Sequence, residues 1–238
     1  IPFLKHFLSA EQSLYYKLRY LANFDMIKAE KAAFKSGERQ NGKERGISMT
    51  HKIKMIGLDL DGTLLTDKKE LTVRTREVLA KAIRSGIVVL VATGRPWMGV
   101  PEELREFPGM DYALTSNGAR IIDTRTGNVI EEHLLSVKSA KKALEICRKY
   151  DTLQEVYFDG QGYAPAEKME FVERYHKNPN MWEYMRKTRI PVDDIFELVD
   201  RENRGLDKTQ ALFADMSERK RAWEELARHE DLELVGSL

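Results

Sequence analysis

From residue 52 onward, short apolar runs alternate with amphipathic stretches. That alternation restricts the chain more than any other feature, because it is the pattern of parallel strands joined by crossover helices. Residues 52–60 read as a first strand. Residues 72–85 read as a helix with Val78, Leu79, Ala82 and Ile83 facing inward, stopped by Gly86 in the usual C-terminal position. The run IVVLVA at 87–92 holds no polar residue, as expected of a central strand covered on both faces. A short helix around 101–107 and a third strand at 112–115 complete a βαβαβ order. After Asn117 and Gly118 the pattern changes, since RIID, the turn TRTGN and VIEEHLL read as a hairpin. Hairpins belong to antiparallel sheet, so a second unit is expected to begin here. Within it, Val137, Ala140, Leu144 and Cys147 mark one face of a helix, strands are expected at 155–159, 209–215 and 232–238, and a further helix at 217–229.

Upstream, the polar stretch SGERQNGKERGISMT reads as a linker, and 9–35 reads as a helix opened by Ser9 with Gln12 three residues on. The expected organisation is an N-terminal helix and linker over 1–50, a first α/β unit over 51–119 and a second over 120–238. With 39 basic and 38 acidic residues in 238, the chain lacks the strongly basic footprint of a nucleic-acid or acidic-membrane protein. No apolar run reaches the roughly 18 to 20 residues that span a bilayer. The lone cysteine excludes an internal disulfide framework and fits a reducing compartment, so a cytoplasmic location is expected. The oligomeric state has no signature in the sequence. Because the chain opens on Ile1, it is expected to be a fragment.

Chemistry concentrates in KMIGLDLDGTLLTD, where an apolar strand ends in Asp59, Leu60, Asp61 and Gly62. Two carboxylates two residues apart at the carboxyl end of a parallel strand face the crevice where open α/β sheets bind ligands. One can attack a phosphoryl group while the other gives a proton to the leaving oxygen and later takes one from water. A bound Mg²⁺ relieves the repulsion of such a pair and neutralises phosphate, and Gly62 allows a tight turn whose amides can point at phosphate oxygens. An ordinary strand-to-turn transition would use similar residues, but a D-x-D-G-T match in a chain this long has a chance on the order of one in several hundred.

The segments LDLDGTLLTD, VATGRP and TSNGA, in that order and spacing, resemble the haloacid dehalogenase-like hydrolases, specifically the Cof-type phosphatases, over 52–238. The resemblance implies a partial Rossmann-like parallel-sheet core followed by an inserted α/β cap, and hydrolysis of a small phosphorylated metabolite, such as a sugar phosphate, through an aspartyl-phosphate. It implies that Asp59 is the nucleophile and Asp61 the general acid and base, that Asp59 and the Asp61 carbonyl hold Mg²⁺, and that Thr93 hydrogen-bonds the transferring phosphoryl group. Leu60, Gly62, Gly94 and Asn117 are expected around the phosphate. Arg95 follows Gly94 as the family pattern has it, although on its own it reads as a surface charge. FDGQGY and TRIPVDD resemble segments common in these caps.

The family's third motif, a Lys after the cap, and its fourth, a Gly-Asp followed by further acids, do not occur, so the chain is expected to be truncated and inactive as given. Lys208 precedes a strand, yet its position inside the cap argues against it as that third motif. Trp182, Tyr184 and Met185 are candidates to line a substrate pocket, but at helical spacing they read first as core, and Cys147 reads as a small core residue. His6, His51, His133, His176 and His229 show no ligand spacing and read as surface residues. Two competing readings are a catalytically inactive binding protein that kept the phosphate loop, and a phosphotransferase or mutase of the same superfamily.

Overall fold

The computed structural model describes residues 53–236; the helix expected over 9–35 and the linker at 36–50 lie outside the described residues. Strands β1 (Met55–Leu58), β2 (Val88–Ala92) and β3 (Tyr112–Thr115) pair in parallel in that order. The β2 side chains explain its central place: Val89 and Val91 are buried on one face and Leu90 on the other, as a strand covered on both sides requires. Between β1 and β2 runs helix α1 (Val73–Arg84). Its start is set by the Thr72 hydroxyl, which accepts from the Thr75 amide at 3.1 Å. Its end is a Schellman closure around Gly86 at φ +80°, with the Gly86 and Ile87 amides returning to the Ile83 and Ala82 carbonyls at 2.9 and 3.2 Å. Leu79 is its buried anchor, and Ala82 and Ile83 pack beside it. Val78, expected inward, is 57% exposed, because one residue along a helix turns the side chain by about 100°.

A short helix α2 (Glu102–Arg105) leads to β3, which ends in a 3₁₀ turn, Ser116–Gly118. The hairpin that follows, β4 (Arg120–Asp123) and β5 (Val129–Glu132), forms as expected but belongs to the first sheet, where β4 pairs antiparallel with β3. A four-residue connection cannot cross over to a parallel position, so the chain folds straight back on β3. The first sheet therefore has the order β1-β2-β3-β4-β5 and continues beyond the boundary expected at 119 and 120.

The second sheet has the order β8-β7-β6-β9. Its strands are β6 (Thr152–Phe158), β7 (Gln161–Pro165), β8 (Arg189–Val192) and β9 (Lys208–Phe213). Helices α3 (Val137–Cys147) and α7 (Ile195–Glu202) bury Ala140, Leu144, Ile195 and Val199 against Val156 and Phe158 on one face. On the other, α4 (Ala166–Met169), α5 (Val172–Tyr175) and α6 (Pro179–Thr188) surround Leu153 with Met169, Val172 and Met185. Both faces are covered, which is why all seven residues of β6 are buried, Glu155 included. Cys147 is buried and burial pushes its thiol up to about 11, in keeping with a core role. Helix α8 (Met216–Leu226) follows β9. Residues 232–236 carry no regular structure where a last strand was expected; Gly236 instead lies against Arg219 and Trp223 of α8. Among the described residues no helix is long and apolar enough to cross a membrane.

Polar contacts close the second unit onto the first. The Met98 amide donates to the Gly160 carbonyl at 3.1 Å and Asn180 Nδ2 to the Asp67 carbonyl at 3.2 Å. Arg120 of β4 is enclosed and donates from Nε to Asp207 Oδ1 at 2.6 Å, while the other Asp207 oxygen accepts the Gly160 amide at 2.7 Å.

Candidate active site

The chain leaves β1 at Asp59 and turns back, so that the amides of Thr63, Leu64 and Leu65 all reach the Leu60 carbonyl. The Leu60 side chain is fully buried in the core of the first unit, which fixes the loop and leaves only its backbone for binding. Gly62 takes φ +75° with open space where a Cβ would stand, so backbone conformation rather than crowding requires glycine here.

Thr93 follows β2 and is buried; its Oγ1 accepts the Arg95 amide at 3.1 Å, and its carbonyl accepts the Asn117 amide at 3.1 Å. A Cβ on Gly94 would stand 2.5 Å from Asn117 Oδ1, so a glycine is what lets the Asn117 side chain lie across this loop. Ser116 and Asn117 hold φ +52° and +60°, consecutive left-handed conformations that cost of order 1–3 kcal/mol each and gather at functional sites. The hydroxyls of Ser116 and of the preceding Thr115 are buried with no hydrogen-bond partner among the described residues. The ends of β1, β2 and β3 thus bring Thr93, Gly94 and Asn117 into direct contact, and link them through Arg95 to Asp61.

Arg95, a surface charge on its bare sequence reading, is buried. Its Nε and Nη2 grip the Asp61 carboxylate at 2.8 and 2.7 Å, and its Nη1 donates to the Gly99 carbonyl at 2.9 Å. Lys69 Nζ takes Asp61 Oδ1 at 2.7 Å. Tyr184 of α6, read as core ahead of pocket wall, lies with its ring 4.5 Å from the Arg95 guanidinium, and its hydroxyl near Gly99 is buried with no partner among the described residues. Met185 is core, as its spacing suggested. His176 is half-buried rather than on the surface, and burial lowers its pKa.

The two carboxylates differ electrostatically. Burial pushes Asp59 above the usual carboxylate range and the charge of Asp61 adds to it, against the Leu60 amide and Arg95. Burial acts on Asp61 in the same sense, but Arg95 and Lys69 outweigh it and hold Asp61 below that range. Among the described residues no three of His, Cys, Asp and Glu converge as a metal cage. What remains is the Asp59 carboxylate, to which no side chain donates among the described residues, and the nearby Asp61 carbonyl. Such a sparse oxygen set fits a cation that keeps most of its waters and shares the substrate's phosphate, as Mg²⁺ does.

Residues 56–236 match the family model of the haloacid dehalogenase-like hydrolases, and the chain belongs to that family. YxeH of Bacillus subtilis, provisionally named a phosphatase, is 31% identical over 115 residues, covering 47% of this chain and 43% of its own. The 5-amino-6-(5-phospho-D-ribitylamino)uracil phosphatase YcsE of the same organism is 30% identical over 100 residues, covering 42% of this chain and 40% of its own. The matched stretch thus spans about two fifths of each of these relatives. A solved haloacid dehalogenase-like hydrolase from B. subtilis has a TM-score of 0.66 at 23% identity, covering 77% of this chain and 70% of that one, a likeness of fold.

The sequence did not mark Lys69 as a site residue, read Tyr184 as core ahead of pocket wall, and set Lys208 aside because it lies inside the cap. For Lys208 a weak signal existed, since Lys208 and Gln210 stand two apart at the start of a strand and so share one face of it.

Proposed function

We propose that the protein containing this chain is a Mg²⁺-dependent phosphatase acting on a small phosphorylated metabolite, such as a sugar phosphate, through an aspartyl-phosphate on Asp59. The observation that carries the reading is the placing of Asp59, Asp61, Thr93 and Asn117 at the carboxyl ends of β1, β2 and β3, where Arg95 ties the Asp61 carboxylate to the Thr93–Asn117 loop and Lys208 and Tyr184 of the second unit reach Gly94 and Arg95. YcsE, similar over part of the chain, is by its name a phosphatase. A single buried cysteine suits the cytoplasm as the compartment.

In the first step an Asp59 oxygen attacks phosphorus, the bond from phosphorus to the ester oxygen breaks, and that oxygen leaves with a proton from Asp61. In the second, water attacks phosphorus, passes a proton back to Asp61, and the acyl-phosphate bond breaks to release inorganic phosphate and the Asp59 carboxylate. Asp61 must be protonated to act first, so its grip by Arg95 and Lys69 has to loosen as substrate enters. The Thr93 hydroxyl and the Gly62 amide orient the phosphoryl oxygens, and Asn117 fixes the Gly94 backbone among them. Mg²⁺, held by the Asp59 carboxylate and the Asp61 carbonyl, would favour the charged form of Asp59 and neutralise phosphate.

Hydrolysis of p-nitrophenyl phosphate with and without Mg²⁺, by wild type and Asp59→Asn, tests the reading. Turnover that needs the metal and vanishes in the variant is expected. Multiple turnover by Asp59→Asn would refute the nucleophile assignment, and a wild type that binds inorganic phosphate without turnover would favour the inactive binding protein.

A further inference from the structure

A lysine ammonium taken out of water is normally matched by a carboxylate, because an unpaired buried charge is costly. Lys208, at the start of β9, breaks that pattern. Its side chain keeps some solvent contact along its length, but the ammonium is enclosed where the second sheet meets the first unit. Nζ donates to the Gly94 carbonyl at 2.8 Å and to Gln210 Oε1 at 3.2 Å, both neutral acceptors, and lies 4.6 Å from the Tyr157 ring centre. Two carboxylates act on it from farther off, Glu155 and Asp207, and both are already bonded. Glu155 is held by Arg189 and Tyr157, Asp207 by Arg120 and the Gly160 amide. An ammonium has three N–H donors, of which two are spent, and its charge has no direct counter-ion among the described residues. The carbonyl it holds belongs to Gly94, between Thr93 and Arg95 and in contact with Asn117.

We propose that Lys208 is a substrate ligand contributed by the cap, whose missing counter-ion is the phosphoryl group bound at the Thr93–Asn117 loop. The inference rests on the phosphatase reading for its substrate, though not for its anion. It gives the second unit a part in binding: a phosphate seated on the loop is sensed by Lys208 only when the two units are closed, as they are through Met98, Gly160 and Asn180. The charged groups around the ammonium are Glu155 on β6, Arg189 on β8 and Asp207 beside it; burial and Arg189 lower its pKa, Glu155 and Asp207 oppose them, and it falls to about 8. The cation is present below that pH and is lost above it, so phosphate binding should weaken as pH rises past about 8.

The experiment compares wild type, Lys208→Met and Lys208→Arg by calorimetric titration with inorganic phosphate from pH 6.5 to 9.5, and by KM and kcat on p-nitrophenyl phosphate. Loss of one charge-assisted hydrogen bond should weaken phosphate binding about 10- to 100-fold in Lys208→Met and remove the weakening above pH 8, with KM raised by a similar factor and kcat less affected. Lys208→Arg should restore binding to within about 5-fold, because the charge returns. Circular dichroism reports folding, and Lys208→Gln, which keeps a donor for Gly94, replaces the Met variant if that fails to fold. A folded Met or Gln variant that binds inorganic phosphate within about 2-fold of wild type overturns the proposal. Turnover surviving in Asp59→Asn would defeat the phosphatase reading instead, and leaves the phosphate titration to decide on Lys208 by itself.

Discussion

At the strand ends of the first sheet the Asp61 side chain stays 40% exposed and shares itself between Arg95 and Lys69, whereas on the facing side of the second sheet Glu155 is fully buried and locked to Arg189. Both are ion pairs whose arginines lie against the Tyr184 ring, but burial gives them opposite characters. A half-exposed carboxylate can exchange a lysine for water at small cost, and so can change protonation during a reaction. A buried pair cannot, since removing one partner strands the other charge in a low-dielectric interior. The core loop is therefore the part suited to chemistry, and the cap face the rigid wall against which Lys208 is set.

Substitutions can break this contrast, in descending order of effect. Asp61→Asn should lower kcat by roughly 10²- to 10⁴-fold with the fold intact, because the proton shuttle is lost; a rate equal to wild type would remove Asp61 from the acid–base role. Arg189→Met should cost about 3–5 kcal/mol of stability in urea unfolding, since Glu155 is left alone in the interior; a shift under about 1 kcal/mol would show that the cap pair is as replaceable as a surface one. Thr93→Ala should reduce kcat/KM by about 10- to 100-fold through one lost hydrogen bond to a charged group. Lys69→Met should move the unfolding free energy by less than about 1 kcal/mol, the usual worth of an exposed ion pair. If Lys69→Met and Arg189→Met proved equally destabilising, the division between adaptable core and fixed cap would fail.

The same division governs how much the sequence disclosed. In the core, the signals are local: Thr72 and Gly86 bracket α1, the unbroken run around Val89 and Val91 marks a strand covered on both sides, and Asp59, Asp61, Thr93 and Asn117 each stand at a strand end. What failed there depended on distant partners. Arg95 is indistinguishable from a surface arginine until the loop after β1 brings Asp61 to it, and the hairpin at β4 and β5 could have paired with either sheet. Val78 was misplaced because two adjacent residues cannot share the centre of a helix's inner face. In the cap almost nothing about the site was legible. Lys208 reaches Gly94 only because β9 pairs antiparallel with β6, placing it opposite Tyr157, and no spacing within the chain announces that register.

The proposed reaction requires that Asp59 carry the phosphoryl group. Rapid acid quenching of the enzyme during turnover of p-nitrophenyl phosphate with Mg²⁺, followed by borohydride reduction and peptide mass spectrometry, reads the attachment point directly. Asp61→Asn, which slows the second step, should enrich the intermediate. The expected result is homoserine in place of Asp59 in a fraction of the chains, absent from the control without substrate. Homoserine at Asp61, or turnover with no modified aspartate in either protein, would contradict the account.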